Sequence, residues 1–346
     1  MSWPFLTIAV GTFGGTIAAG LNIPLGWLIG AMVFTGTLCC FYDQARVPVG
    51  LRYLGQTVIG LSAGLSLTPV LLGHALTFTP YILGGVFISI GLGLALSGFL
   101  ARAANLDPTT AFFASVPGGV AEMSNLAERY GGDVAAVAIA QTLRIFMAVL
   151  TVPFLARVFG HSAGHHAPLA AGTLATPGLL ALLATLATIL SWILMQRRIP
   201  NAWLLGAMAV GAGAALTTAT RFSVPTWSLD LAQILIGTSL GARLRRKALR
   251  SHRRLLPTTI ASTALLLAGN LVLGLSLAAL TGAGLTTAIL STSPGGLAEM
   301  SLTAIALKAD VSLVVAFHLA RTLIVALSSL PLYAATRRLS GRKASP

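Results

Sequence analysis

Two glutamates stand in matched settings inside otherwise apolar sequence. Ser115-Val116-Pro117-Gly118-Gly119-Val120-Ala121-Glu122-Met123 returns as Thr292-Ser293-Pro294-Gly295-Gly296-Leu297-Ala298-Glu299-Met300, each residue displaced by 177 positions. Proline has no backbone N–H and glycine disfavours helix, so each Pro-Gly-Gly breaks a helix and leaves carbonyls and amides unpaired. In a bilayer such groups are tolerated where they line a cavity, and there they can coordinate an ion or a polar solute. The hydroxyls of Ser115, Thr292 and Ser293 lie just before the breaks, and Glu122 and Glu299 about one turn after them. A carboxylate in that position can exchange a proton or hold a cation. The structural alternative is that each Glu caps the following helix, whose dipole favours a negative charge at its start. Duplication of the whole pattern within apolar sequence weighs towards function.

The same displacement carries Asp133 onto Asp310, Arg144 onto Arg321, Gln56 onto Gln233, Gly60 onto Gly237 and Gly64 onto Gly241. An arginine in an apolar helix is costly and needs partners. Arg144 and Arg321 read either as a clamp for an anion or a switchable partner of Glu122 and Glu299, or as ion pairs fastening the broken segment to its neighbour. Asp133 and Asp310 stand at helix starts, where N-capping is the default role. Gln141 and His318 fall one turn before the arginines. They could line a cavity, with His318 as a proton relay, or be satisfied by neighbours. Asn105 and Asn270 have no matching partner.

No metal centre or cofactor is expected. His161, His165 and His166 lie in a Gly- and Pro-bearing stretch without a nearby carboxylate or cysteine, which reads as an exposed linker. A nucleotide-binding glycine loop and a nucleophile elbow are both missing from the sequence, so neither an enzyme nor an ATP-driven pump is expected.

These residues need a membrane scaffold. With 346 residues, 55% hydrophobic, 9% charged and a mean hydropathy of +0.87, the chain has too little polar surface to coat a soluble globule. Adjacent Cys39-Cys40 imply no disulfide framework. The net charge of +14 is concentrated in Arg243 to Arg254 and in the tail Arg337, Arg338, Arg342 and Lys343. Both flank apolar spans, so they read as a cytoplasmic topology signal and not as a nucleic-acid surface. The first apolar stretch has no basic residue ahead of it, which reads as a retained helix and not a cleaved signal.

Each copy holds six apolar segments: 5–20, 25–41, 53–72, 79–101, 108–127 and 133–156, then 173–195, 200–219, 227–242, 256–280, 285–305 and 310–335. A second repeated motif, Ile23-Pro24-x-x-Trp27-Leu28-x-Gly30-Ala31-Met32, returns as Ile199-Pro200-x-x-Trp203-Leu204-x-Gly206-Ala207-Met208, displaced by 176. The division is therefore residues 1–160, a linker 161–172, and 173–346. Keeping both basic clusters on one side requires an even number of crossings between them, yet three apolar segments intervene. The segment carrying Pro294-Gly295-Gly296 is the candidate for turning back as a re-entrant hairpin. A rival count lets it cross and makes the third segment partial, and both stay open. Either gives five crossings per copy, hence opposite orientations of the copies. The expected fold is an all-α polytopic membrane protein of two inverted repeats of about five transmembrane helices, each with a broken or re-entrant Pro-Gly-Gly helix. Both termini would be cytoplasmic and residues 161–168 outside.

The paired Pro-Gly-Gly-x-Ala-Glu-Met and Ile-Pro-x-x-Trp-Leu-x-Gly-Ala-Met, with the Asp and Arg that follow, resemble the AbrB family of bacterial inner-membrane proteins over about Trp3 to Tyr333. That resemblance implies an internal membrane duplication, an inner-membrane location and the label of gene-expression regulator or ammonia monooxygenase. The residues supply no oxygenase ligand set and no DNA-reading domain. As a fold analogy, the arrangement is similar to glutamate and citrate carriers with inverted repeats and glycine-rich hairpins. The functional expectation is an ion- or proton-coupled secondary transporter of a small polar or anionic solute. Its partners would be that solute and the lipid bilayer, without direct nucleic-acid contact, and a homodimer is allowed. The alternative is a membrane sensor or regulator that moves nothing.

Overall fold

A chain this apolar must pair its backbone polar groups within each segment, and the helix does so. The structure, a computed structural model, describes residues 3–42, 47–67, 77–160, 173–218 and 222–339; the stretch with His161, His165 and His166 lies outside the described residues. The first half contains α1 (Trp3–Gly20), α2 (Gly26–Phe41), α3 (Val49–Leu65), α4 (Thr79–Ala104), α5 (Pro108–Ser115), α6 (Val120–Arg129) and α7 (Val134–Gly160). After β1 (Thr173–Leu174) come α8 (Pro177–Gln196), α9 (Ala202–Thr217), β2 (Phe222–Ser223), α10 (Thr226–Gly241) and α11 (Arg246–Ser251). The chain continues with α12 (Leu255–Thr281), α13 (Leu285–Thr292), α14 (Leu297–Ala306) and α15 (Val311–Leu339). Among the described residues six helices, α1, α4, α7, α8, α12 and α15, are long and apolar enough to cross a membrane. Phe5, Phe13, Trp192, Leu265 and Leu327 lie exposed on four of the six, an exterior suited to lipid.

Segments 108–127 and 285–305 each divide into two short helices. The residues before the prolines, Val116 and Ser293, are extended, with ψ 128° and 145°, because a following proline excludes the helical region. Helix resumes only after the glycines, at Val120 and Leu297.

The duplication is visible in the backbone. Left-handed residues occur in pairs: Asn22 with Arg198 (φ 55° and 57°) and Leu25 with Asn201 (55° and 53°), at the 176 displacement. Asn105 with Gly282 (53° and 69°) and Gly131 with Lys308 (75° and 54°) follow at 177. Asn105 thus closes α4 as Gly282 closes α12, both in the left-handed conformation that ends helices. Leucine, lysine and arginine adopt it at some cost, which the turn shared by both copies imposes.

Glycine pairs dock the two copies on each other. A Cβ at Gly60 or Gly64 of α3 would stand 2.2 Å from the Leu204 or Met208 carbonyl of α9. Reciprocally, a Cβ at Gly237 or Gly241 of α10 would stand 2.4 or 2.5 Å from the Leu28 or Met32 carbonyl of α2. Both are Gly-x-x-x-Gly contacts, in which missing side chains let backbones touch. The repeated Trp-Leu-x-Gly-Ala-Met stretch of each copy is therefore the seat for the other copy's glycines.

Candidate functional site

The broken segments are held from behind by the long helix that follows each of them. The Asp133 amide donates to the Thr110 hydroxyl (2.7 Å) and the Asp310 amide to the Thr287 hydroxyl (3.0 Å). Asp133 and Asp310 also cap α7 and α15, accepting the Ala136 and Leu313 amides at 2.9 and 3.1 Å. Asp133 takes in addition a bond to His252 Nε2 at 2.9 Å. Burial pushes its carboxyl up, but the Ala136 amide and His252 outweigh that and hold it below the usual carboxylate range.

Three turns further on, the arginines meet the breaks themselves. Arg144 Nη1 and Nη2 donate to the Val116 and Gly118 carbonyls at 3.3 and 3.0 Å. Arg321 Nη1 donates to the Ser293 carbonyl at 2.6 Å, and its Nη2 to the Gly295 carbonyl. The acceptors sit at matching positions. A proline and two glycines free these carbonyls, and a planar guanidinium spans two of them, which a point charge does not. The arginines therefore hold backbone where sequence reasoning set a carboxylate or a substrate. Among the described residues the recorded ion pair is His252–Asp133.

Gln141 and His318 do the same job one turn earlier. Gln141 Nε2 donates to the Phe113 and Val116 carbonyls (2.7 and 2.9 Å). His318 Nε2 lies 3.0 Å from the Leu290 carbonyl and Nδ1 2.9 Å from Arg321 Nη2. Arginine has only donors, so Nδ1 accepts and the proton sits on Nε2. The buried imidazole is thus neutral with both nitrogens occupied.

The hydroxyls before the breaks turn away from them. Ser115 donates to Ala111 (2.7 Å), Thr292 to Asn270 (2.9 Å) and Ser293 to Leu290 (2.9 Å), all to carbonyls. Over the breaks lie methionines. Met123 and Met300 are fully buried, and a Cβ at Gly118 or Gly295 would meet their methyl carbons at 2.7 or 2.6 Å. That contact accounts for both the first glycine and the closing methionine of the motif.

In front of the breaks is a cavity of about 560 Å³. Pro117, Gly118, Gly119 and Glu122 line it from one copy, and Gly295, Gly296 and Glu299 from the other. Arg144 and Arg321 complete the wall between them. Glu122 is half-buried and Glu299 is 3% exposed. Both occupy the first turn of a helix, α6 or α14, whose start faces the cavity. Ser115, Thr292, Ser293, Pro294, Asp133, Asp310, Gln141 and His318 do not line it. Residues that sequence reasoning did not place here do: Arg52, Tyr53, Gln56, Asn125, Arg198, Trp203 and Arg243. Tyr53 and Trp203 stack with ring centres 4.9 Å apart and planes 9° from parallel. The repeated Gln56 and the repeated Trp203 were signals in the sequence, whereas the arginines were read as topology markers.

The model of the family described as "Transition state regulatory protein AbrB" matches residues 27–337. The chain belongs to the AbrB family. It is similar to the protein YhjN of Bacillus subtilis (strain 168), 29% identical over 97% of this chain and 94% of that protein. A protein of Escherichia coli (strain K12) that bears the name "Putative regulator AbrB" is 26% identical, over 87% of each chain. The matched region of this chain contains both Pro-Gly-Gly motifs, both arginines and every cavity residue named above.

Proposed function

We propose that the protein is a secondary transporter of a small polar or anionic solute, coupled to a proton or another ion, with its site between the two Pro-Gly-Gly breaks. The observation that carries this reading is the cavity in which both breaks, both motif glutamates and both motif arginines meet. Its asymmetry supports the reading further. The wall includes the turn Arg198 to Trp203 but not the matching turn Asn22 to Trp27, as in a site open on one side of a pseudo-symmetric carrier. In this reading the copies are inverted in a bacterial inner membrane, with five crossings each, re-entrant α5–α6 and α13–α14, and both termini cytoplasmic. Glu122 and Glu299 carry the coupling charge, and Arg144 and Arg321 hold the breaks in shape.

The rival reading, a membrane sensor or regulator without flux, draws on the name of the Escherichia coli relative. A sensor has no need of a polar cavity between the breaks, and dry packing there would have favoured it. The test is uptake into proteoliposomes from a panel of radiolabelled small acids, amines and amino acids. Flux of the transported solute should fall at least tenfold in Glu122→Gln and in Glu299→Gln, each verified as folded. Wild-type flux in both variants would defeat the assignment of the site.

A further inference from the structure

The cavity wall holds five arginines, Arg52, Arg144, Arg198, Arg243 and Arg321, against two carboxylates, Glu122 and Glu299. Two of the five follow the repeat and are bonded to the carbonyls of the breaks. The other three do not follow it. The positions paired with Arg52, Arg198 and Arg243 are occupied by Leu229, Asn22 and Ser66. A topology marker needs only to stand in a loop at the end of a span, whereas these three come from separate elements and converge on one wall. Arg243 is near enough to Arg52 and Glu299 for their charges to act on it. No ion pair is recorded for any of the five among the described residues. Arg144 is 5% exposed, and its Nε–H is buried with no partner. Like charges gathered in a low-dielectric concavity repel one another unless an anion enters. The starts of α6 and α14 add partial positive charge on the same wall.

We infer that the cavity takes a small oxyanion bearing two or three negative charges, a di- or tricarboxylate or a phosphate, and that Arg52, Arg198 and Arg243 select it. Five guanidinium charges against two carboxylates leave three to neutralise. The volume fits a small molecule. Gln56, Asn125 and Asn201 supply neutral hydrogen-bonding groups on the same wall. The inference rests on the transport reading for its biological sense, but the binding itself can be measured without flux.

The full chain in nanodiscs of zwitterionic lipid is titrated with citrate, succinate and inorganic phosphate, with glucose as the neutral probe and ethanolamine as the cationic one. At least one oxyanion should bind and raise the melting temperature, weakening as salt increases, while glucose and ethanolamine do neither. The decisive variant writes the paired residues into the wall: Arg52→Leu, Arg198→Asn and Arg243→Ser together. Asn suits position 198 because Asn22 holds the same left-handed backbone. Affinity should fall about 100-fold or more in the triple variant and about tenfold in Arg243→Ser, whereas Arg243→Lys should stay within about fivefold. If the triple variant does not fold, the contrast between Arg243→Ser and Arg243→Lys carries the test. The inference is overturned if no oxyanion binds, if glucose or ethanolamine binds instead, or if the variants bind as the wild type does. Oxyanion binding without flux in proteoliposomes would uphold the site and sink the transport reading. Flux of a neutral or cationic solute without oxyanion binding would do the reverse.

Discussion

Arg321 holds three acceptors at once, the Ser293 and Gly295 carbonyls and His318 Nδ1, whereas Arg144 holds two. Removing either guanidinium strands carbonyls that a proline and two glycines have freed, and a buried unpaired carbonyl costs about 1–3 kcal/mol. Arg321→Ala should therefore destabilise the protein by about 3 kcal/mol or more and Arg144→Ala by about 2. Arg321→Lys should recover little, since an ammonium does not fork across two carbonyls. His318→Gln should cost under about 1 kcal/mol, because Gln141 makes the equivalent of the Leu290 bond, to the Phe113 carbonyl, in the other copy. Thermal unfolding in detergent micelles measures all four; a His318→Gln loss as large as that of Arg321→Ala would show that glutamine does not replace the histidine bonds. The sequence displayed Glu122, Glu299 and the paired arginines because type and spacing recur. It could not show that Ser115, Thr292 and Ser293 bond to carbonyls. Nor could it show that Arg52, Arg198 and Arg243 face a cavity, since a basic residue at the end of a span looks the same whichever way it points.

At the scale of elements, the docking of α3 on α9 and of α10 on α2 depends on four glycines. Gly60→Val and Gly237→Val should each destabilise by about 3 kcal/mol or more, and by similar amounts, because each forces a side chain onto a carbonyl 2.2 or 2.4 Å from its Cβ. Gly84→Val and Gly91→Val on α4, where nothing lies within 4 Å, are the controls and should change the melting temperature little. Equal losses at all four positions would mean that helix propensity, not docking, sets the cost. Most segment limits were legible, because Pro, Gly and the change from apolar to polar residues punctuate them. Segment 53–72 is an exception at its start: its helix begins at Val49, opened by Pro48, and runs to Leu65, while residues 68–72 lie outside the described residues. What the sequence withheld is which helix each glycine face meets, since a small residue announces a close approach without naming its partner.

For the molecule as a whole, the repeat was plain from the displacement of 177, and the orientation of the copies is an argument from arginines. With Cys39 and Cys40 replaced by serine, a cysteine at Ser162 should react with a membrane-impermeant thiol reagent in intact cells. One at Ser251 should react only after the membrane is opened. The reverse pattern would overturn the sidedness, and labelling of both from outside would overturn the re-entrant reading of the breaks. The reciprocal glycine docking also sets a schedule for biosynthesis. Gly60 and Gly64 find their seat only at Leu204 and Met208, 144 residues later in the chain. At ribosomal speeds of about 5–20 residues per second, the first copy waits in the bilayer for about 7–30 s with that groove open to lipid. A half-made chain is therefore not a finished half. During that interval the nascent α3 offers the insertion machinery, or another copy of itself, a glycine face meant for a helix that has not yet been translated.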